Sequence, residues 1–574
     1  MNVIFKLLKK FQVGRFRPQT VSYLRRGYAP SLFLKDLAAG LTVGIVAFPM
    51  AMAFAIASGL SPEVGLYTAI VAGFLNALFG GGAFQIGGPT GSFIVVVTVV
   101  IARHGFHGLT LAMCVASGLL ILMAVARFGA LLKLVSYPVI TGFTAGIAVL
   151  IFSSQIKELL GLEIEGTTPP TFLLRWQTYF DHLGTWNPQA LLIGSLSLAA
   201  IFLIRRLNAK LPYYLIVAII SSFIVWFFDI PVATIGSSYG KLSSSMPSIG
   251  LPSFSFDALI AVIPDAVTIA LLVAIESLLS AAVADGVAGT THNPDAELMA
   301  QGIANFGSAL IGGIPSTGGI SRTITSIRMG AQTPFAGMIA AIMILGLMLL
   351  LGRYAAHIPL ATLAAILIAV AWAMSDLSHI KAILRSPVSD IVVMGITFLL
   401  TVILNLTVAV EVGIILSAFA FLRKMAERTT LMPTETFQEE AEATSLFLDP
   451  DVLCKKNIPD GTTVYDLNGP LFFGATHLFK SGIQLLDEEG GRVLILRMRR
   501  VPWIDASGMR ALREFETHCR KRGITLLLSG INPSLKKRLE QARLHQVIGK
   551  EQLFSNINDA LKRASELLPA AELT

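Results

Sequence analysis

Residues 311–323 read IGGIPSTGGISRT and lie between two strongly apolar runs. These thirteen residues include four glycines and one proline, which do not fit an ordinary buried helix. Within hydrocarbon, irregular backbone persists only where protein or a water-filled cavity satisfies its polar groups. A helix that restarts after Pro315 would present free N–H groups at its first turn. Thr317, Ser321 and the cation of Arg322 are close to that turn in sequence, so the stretch predicts an anion site inside a membrane domain.

A second stretch repeats this design earlier in the chain. Residues 86–93 read IGGPTGSF and precede the apolar run IVVVTVVIA. Pro89 lies 52 residues after Leu37, near the predicted start of the first span (89 − 37). Pro315 lies 52 residues after Ile263, near the start of an equivalent span (315 − 263). Interrupted helices at corresponding positions of two halves indicate a transporter site at the bilayer midplane, where two helix N-termini would form a positive cradle.

Composition independently indicates a membrane protein. The mean hydropathy is +0.70, and only 14% of residues are charged, against about 25% in soluble domains. The formal charge of +8 does not indicate a nucleic-acid partner, because the basic residues lie at the ends of apolar runs. Counting segments of about 20 residues predicts fourteen spans, with both termini in the cytoplasm. Eighteen Lys and Arg then lie on the inner side and five on the outer side.

A change in composition after Arg428 divides the chain. We predict a basic cytoplasmic arm (1–35), a transport domain (36–428, with repeats at 36–226 and 260–424), a linker (429–445) and a small α/β domain (446–574). In the last domain, periodicity predicts strands at 464–473, 492–498 and 524–530, and helices at 475–487, 507–521, 533–543 and 557–567. Cys114, Cys454 and Cys519 lack metal-ligand or CxxC spacing, so we expect free thiols.

Several motifs together carry a family resemblance. They are FPMAMAFAIASGL (48–60), SPEVGLYTAIVAGFLNALFG (61–80), IGGPTGSF (86–93), AIESLLSAAVAD (274–285), the 311–323 stretch, GPLFFGA (469–475) and VPWIDASGMRAL (501–512). In this order and spacing they resemble the SulP anion transporters, which include sulfate permeases, bacterial bicarbonate and dicarboxylate carriers and prestin. The resemblance implies an α-helical polytopic membrane protein with fourteen spans in two inverted seven-span repeats, divided into core and gate subdomains. It also implies a small cytoplasmic α/β STAS domain and a homodimer in the bacterial inner membrane.

The resemblance places the anion between the half helices of the third and tenth spans. One rim would comprise Pro89, Thr90, Gly91, Ser92 and Phe93, and the other Thr317, Gly318, Ser321 and Arg322. Backbone N–H groups and hydroxyls suit an oxyanion, and the arginine adds electrostatic attraction. For the small hydroxyl residues, close helix packing is the alternative interpretation.

Glu276 is the one acid within the apolar run VTIALLVAIESLLSAAVA. Such a carboxyl group is typical of an ion-coupling site, although it could instead be a structural counter-charge to Arg322. Sodium-coupled bicarbonate members of the family carry an aspartate and, four residues later, a threonine. This chain has Glu276 and Ser280 at the matching positions, which puts sodium coupling in doubt and favours a proton as the coupled ion.

The STAS resemblance raises the question of a phosphoswitch. Anti-sigma-factor antagonists are phosphorylated on the residue that follows the aspartate of a D-S/T-S/T-G motif. Here Asp505 precedes Ala506, Ser507 and Gly508, so the usual acceptor is missing. We therefore expect a docking and folding role, with a cytosolic protein partner, nucleotide or acyl-carrier binding left open.

Together these patterns predict a secondary active transporter of small oxyanions, such as sulfate, bicarbonate or dicarboxylate, coupled to protons. The alternatives are an uncoupled exchanger or channel of the same fold, or a carrier related to nucleobase permeases. Those permeases lack a STAS domain and recognise a base through carboxylates on the eighth and tenth spans, whereas the tenth span here offers Arg322. No nucleophile–base pair, metal cluster or nucleotide loop is evident, so we expect no catalytic residue, metal or cofactor.

Overall fold

Most of the described chain is helical. The computed structural model describes residues 16–131, 136–164, 168–169, 171–208, 211–240, 250, 255–404, 406–433, 458–476, 478–479 and 492–568. The helices of the membrane part are α1 Gln19–Arg26, α2 Pro30–Ala57, α3 Pro62–Phe79, α4 Phe93–Val125, α5 Phe128–Leu131, α6 Tyr137–Leu160, α7 Phe172–Asp181, α8 Pro188–Leu207, α9 Tyr213–Phe227, α10 Ile235–Tyr239, α11 Phe256–Ala288, α12 Pro294–Leu310, α13 Ile320–Arg328, α14 Phe335–Ala355, α15 Leu360–Ser375, α16 Leu377–Ile383, α17 Val388–Ile403 and α18 Leu406–Glu427. Two short strands, β1 Gly87–Gly88 and β2 Thr317–Gly318, interrupt the helices.

The helices make up the predicted fourteen spans. In the described part of the chain, eight helices are long and apolar enough to cross a membrane, and α9 and α17 are shorter apolar helices. The helix α4 supplies two spans, because Gly105 has a φ of 68° and a ψ of −176° and breaks it into a half helix and a full span. The helices α12, α13 and α18 complete the set.

Helix contacts reveal the inverted repeat. Span n of the first half corresponds to span n + 7 of the second. Contacts of α14, in the second half, with α2 and α3 of the first half have their counterparts in contacts of α4, in the first half, with α11 and α12 of the second. Contacts of α15 with α8 likewise have their counterpart in contacts of α6 with α17. The core subdomain contains α2, α3, α4, α11, α12 and α14, and the gate subdomain contains α6, α8, α15 and α17. This arrangement confirms the fold predicted from the sequence.

Glycines four residues apart bring helices together in both subdomains. A Cβ on Gly40 would lie 2.6 Å from the carbonyl oxygen of Ala336 on α14, and a Cβ on Gly44 would lie 2.7 Å from the Met343 Cβ. In the gate, Gly142 and Gly146 of α6 allow the same close approach to α17. Small residues of this kind set helix packing in membranes, where burial of apolar surface supplies little drive.

The chain after α18 forms a small α/β domain. Its elements are β3 Thr430–Pro433, β4 Thr462–Asn468, β5 Val493–Arg497, α19 Ala506–Lys521, β6 Thr525–Ser529, α20 Pro533–Gln541, α21 Leu544–Ile548 and α22 Ile557–Leu567. The sheet has the order β3-β4-β5-β6; β3 is antiparallel to β4, and the other two pairings are parallel. Val464, Ile495 and Leu527 lie side by side at its centre and pack under α22.

Several predicted boundaries shift in the structure. The strand predicted at 464–473 ends at Asn468, because Gly469 turns the chain with a φ of 97° and a proline follows. The first residues of the predicted linker form the edge strand β3. The predicted helix at 475–487 lies almost entirely outside the described residues, as do Cys454 and the first fifteen residues of the basic arm. Cys114 and Cys519 are free thiols.

By internal contacts the chain divides into two units, Met1–Ser417 and Ala418–Thr574. The C-terminal end of α18 therefore belongs with the small domain. In the first unit, α1 lies against the end of α3, where Thr20 Oγ1 donates to the Ala77 carbonyl at 3.0 Å and Gln19 N donates to the Gly80 carbonyl at 3.0 Å. The described part of the basic arm is thus held by the protein itself.

Candidate functional site

The two glycine-rich stretches meet as an antiparallel ribbon. Gly87 pairs with Gly318 and Gly88 with Thr317. Beyond the paired residues, Gly319 N donates to the Ile86 carbonyl at 2.9 Å. Neither stretch can be helical, so pairing them satisfies backbone groups that hydrocarbon would leave without partners. The ribbon thereby fixes the predicted third- and tenth-span sites next to each other.

A half helix starts just beyond each strand of the ribbon. The first half helix of α4 begins at Phe93, and α13 begins at Ile320. Because the strands are antiparallel, the two helices run away from the ribbon in opposite directions and both N-termini face it. Neither N-terminus has a side-chain cap, and the N-cap residues are Ser92 and Gly319. Phe93 N and Ile94 N of α4 donate to the carbonyls of Thr90 and Gly91 at 3.2 and 3.1 Å. Among the described residues, the first-turn N–H groups of α13 have no such partner and remain available to a ligand.

Arg322 lies in the first turn of α13 with its guanidinium against the ribbon. Only 5% of the residue is exposed. A Cβ on Gly88 would lie 2.6 Å from Arg322 Nη1, and a Cβ on Gly319 would lie 2.6 Å from Nε. Glycine at both positions thus makes room for the guanidinium. Nη2 is buried and has no hydrogen-bond partner within the described residues. A buried cation with an unsatisfied donor is typical of an anion site.

The Glu276 carboxylate faces the rim of the third span and not Arg322 on the rim of the tenth. Thr90 Oγ1 donates to the Glu276 carboxylate at 3.2 Å and lies 3.1 Å from Ser92 Oγ. Within the described residues, Glu276 and Arg322 form no ion pair with an N···O distance of 4.0 Å or less. The structure therefore offers no direct contact for the alternative in which Glu276 is a structural counter-charge. It links the carboxylate to two predicted site hydroxyls instead.

Other predicted site residues are engaged within the protein. Thr317 Oγ1 lies 2.6 Å from Ser277 Oγ, and Gly318 N donates to the same Ser277 oxygen at 3.2 Å. Ser280 is fully buried, and its hydroxyl lies 3.5 Å from Thr323 Oγ1. Thr317, Gly318 and Ser280 therefore shape the rim of the tenth span, while the free donors of that rim are the first-turn N–H groups and Arg322.

The predicted rim of the third span is closely packed. Pro89, Gly91, Ser92 and Phe93 are buried. A Cβ on Gly91 would lie 2.6 Å from Ile151 Cδ1 of the gate helix α6. Glycine at this position lets the gate approach the start of the half helix. Ser321, on the rim of the tenth span, is exposed.

Sequence reasoning missed the residues that hold the irregular stretch in place. Asn305 of α12 binds Ser316 twice, donating to its carbonyl at 2.8 Å and accepting from its N–H at 2.8 Å. Thr68 of α3 accepts from Ile314 N at 2.8 Å, and Ser308 donates to the Ile314 carbonyl at 2.8 Å. Polar residues inside otherwise apolar spans are the signal that could have identified them.

A narrow cavity reaches Arg322 along the boundary between α2, α9 and α13. Its lining includes Thr42, Met50, Tyr213, Tyr214, Ser321 and Arg322. Core residues form one wall and α9 of the gate forms the other. Movement of the gate relative to the core would therefore widen or close this route to the guanidinium.

Comparison with known proteins gives a consistent result. The chain matches the sulfate permease family over residues 33–397 and the STAS domain over residues 454–560. The putative sulfate transporter YvdB of Bacillus subtilis is 37% identical over 532 residues, which cover 92% of this chain and 98% of that protein. The bicarbonate transporter BicA of Picosynechococcus is 28% identical over 546 residues, which cover 92% of this chain and 94% of that protein.

A solved structure agrees at the level of the fold. The murine Solute Carrier 26 family member A9 anion transporter in the inward-facing state superimposes with a TM-score of 0.83. The match covers 97% of this chain and 95% of that one, at 19% sequence identity.

Proposed function

The chain belongs to the sulfate permease family, a family of anion transporters, and on this basis we propose that it carries small oxyanions coupled to protons. The anion would lie between the two half helices. The observation that carries the proposal is the Arg322 guanidinium, buried at the ribbon with no partner on Nη2. An oxyanion there would accept from the guanidinium and from the first-turn N–H groups of α13, and the dipoles of both half helices also favour negative charge at this place.

The hydrogen bonds of Glu276 support coupling to a proton. When Glu276 is ionised, its carboxylate accepts the hydrogen bond of the Thr90 hydroxyl, and its negative charge repels an anion at the same rim. When Glu276 is protonated, the repulsion disappears and Thr90 and Ser92 are free to donate to the anion. Proton and anion would therefore bind together, as a symporter requires. Ser280, whose hydroxyl lies at Thr323, adds no evident oxygen ligand for sodium beside Glu276.

The alternatives fit these contacts less well. A nucleobase carrier would need an acceptor for base N–H groups at the tenth-span rim, where this chain has a guanidinium. An uncoupled exchanger or channel would leave Glu276 without a role, although its carboxylate is bonded to the site hydroxyl of Thr90. Backbone donors recognise oxyanions generically, so sulfate, bicarbonate and dicarboxylates all suit the site. YvdB is named for sulfate and BicA for bicarbonate. Competition by unlabelled anions against labelled uptake in proteoliposomes would rank them.

Topology and assembly complete the proposal. The excess of Lys and Arg on one side of the spans favours cytoplasmic termini and a bacterial inner-membrane location. By family expectation the protein would be a homodimer. A protein partner for the STAS domain remains part of the proposal, with no role for nucleic acid.

Replacement of Arg322 tests the proposed site. We expect Arg322→Ala to weaken anion affinity about 10-fold or more, because a hydrogen bond to a charged group is lost together with its attraction. Arg328→Ala is the matched control, since Arg328 lies on the same helix with its side chain exposed. Labelled-anion uptake and a melting curve would be measured for both variants. A folded Arg322→Ala protein with unchanged affinity would contradict the proposal.

A further inference from the structure

The inner end of the last span packs into the small domain. Leu422, Met425 and Ala426 of α18 pack against the core of this domain. A Cβ on Gly474 would lie 3.1 Å from the Ala426 Cβ. Phe473, next to Gly474, therefore lies beside the last turns of α18, where the chain leaves the bilayer. Only two residues separate α18 from β3.

Exposed aromatic rings continue from the span onto this loop. Phe419 and Phe421 of α18 are exposed, as expected of a face that meets lipid tails. Phe473 is 59% exposed, and Trp503 is also exposed. The loops that carry these two rings are joined, because Leu471 N donates to the Trp503 carbonyl at 3.0 Å. Such rings at the end of a span are typical of the membrane–water interface.

Cations lie both on the end of α18 and beside Trp503. Arg423 is 82% exposed, with its Nε bonded to Glu427 at 2.7 Å, and Lys424 and Arg428 lie on the same end of α18. The guanidinium of Arg538 lies 5.9 Å from the centre of the Trp503 ring. The four cations outnumber two acids, Glu427 and Asp505, the second of which accepts from Phe473 N at 3.2 Å. The surface therefore carries net positive charge next to a bilayer.

We propose that this surface, formed by Arg423, Lys424, Arg428, Phe473 and Trp503, binds anionic phospholipid of the leaflet that α18 leaves. The aromatic rings enter the headgroup region and the basic side chains contact lipid phosphates. Lipid fits better than a protein partner because the surface is continuous with the lipid-exposed face of a span and is held within a few residues of it. Binding would fix the small domain against the membrane independently of the transported anion.

Hydrogen exchange of the full-length protein in nanodiscs tests this surface. The nanodiscs would contain either phosphatidylcholine alone or phosphatidylcholine with phosphatidylglycerol. We expect amides at 471–475 to exchange about fivefold more slowly with the anionic lipid, since one basic residue near such a surface contributes roughly this factor. Arg423→Gln should reduce the difference, and Phe473→Ser should abolish it. Amides of β5 report that each variant is folded.

Arg563→Gln is the control for loss of charge. Arg563 lies on α22, which covers the other sheet face, and like Arg423 it bonds a nearby glutamate (Glu566, 2.9 Å). This variant should retain the full lipid dependence. Equal exchange in both nanodiscs would overturn the proposal. Slow exchange in both would also overturn it, because the amides would then be protected by hydrogen bonds within the protein or by a second copy, and not by anionic lipid. If Arg563→Gln lost as much of the lipid dependence as Arg423→Gln, the effect would come from net charge alone, and the proposal would fail.

Discussion

At the scale of single residues, two acids of the membrane domain differ in what surrounds them. Glu297 is fully buried and accepts from four donors, namely the side chains of Asn76 and Gln301 and the backbone N–H groups of Gly81 and Gly82. Glu276 accepts from Thr90 and stands beside a predicted ligand site. We infer that the first acid is a structural part of the fold, whereas the second is the candidate for the proposed proton coupling.

Glu276→Gln should separate transport from its driving force. The substitution keeps size and hydrogen bonding but fixes a neutral group beside Thr90. Anion exchange without a pH difference should persist, whereas accumulation driven by an inward proton gradient should disappear. Labelled-anion uptake into liposomes with and without the gradient measures both. Gradient-driven accumulation that survives in the variant would rule out the proton role.

Glu297→Gln is the same chemical change at the other acid and should have the opposite outcome. It places an amide nitrogen among four donors, so at least one buried donor loses its acceptor at a cost of about 1–3 kcal/mol. The melting temperature of the purified variant should fall by several degrees, while any protein that remains folded should retain gradient-driven uptake. An unchanged melting temperature would show that the hydrogen-bond cluster around Glu297 contributes little to stability.

At the scale of elements, the sequence predicted the two breaks in the helices but not the strands β1 and β2 that lie in them. Glycine and proline are local signals, so the breaks at 86–93 and 311–323 could be located from the sequence. Pairing of Gly87 with Gly318 joins residues far apart in the chain, and no local pattern encodes it. The predicted equivalence of Pro89 and Pro315 is also only approximate in the structure, because Pro89 follows β1 whereas Pro315 precedes β2.

The candidate site shows the same limit, because its hydrogen bonds depend on packing between distant residues. The sequence drew attention to Arg322 and Glu276 because charges within apolar runs are conspicuous. It could not show that the Thr317 hydroxyl and the Gly318 N–H are used by Ser277, since those hydrogen bonds depend on how α11 packs against the ribbon. The sequence predicts linker where edge strand β3 lies, because four residues carry too weak a period-two pattern.

Gly318→Ala tests the ribbon as an element. A Cβ at this position would lie 1.7 Å from the Gln85 amide nitrogen, which donates to the Ser277 carbonyl at 3.0 Å. The methyl group should displace Gln85 and shift the start of α13, so we expect lower anion affinity although Arg322 is intact. Gly346→Ala is the control, because a Cβ there meets no atom within 4 Å. Equal affinities of the two variants would show that the site tolerates movement of the ribbon.

At the scale of the whole molecule, the inverted repeat and the small domain contribute different properties. The described contacts of the candidate site come from α2, α3, α6, α11, α12 and the ribbon, all within Met1–Ser417. The small domain has its own sheet and core and includes the last turns of α18. Anion selection and stability should therefore be separable by removing the part of the second unit that follows α18.

Deletion of the chain after Arg428 tests that separation. The truncation uncovers Leu422, Met425 and Ala426, which pack against the small-domain core in the intact protein. We expect lower yield and lower transport, because this apolar surface becomes exposed at the membrane surface. The order in which sulfate, bicarbonate and dicarboxylates compete with labelled uptake should stay the same, since every proposed anion ligand lies before Arg328. Competition would be compared at equal amounts of folded protein in liposomes, so that yield does not enter the result. A changed order would mean that the small domain reaches the anion site or alters its geometry, and selectivity could then no longer be assigned to the half helices alone.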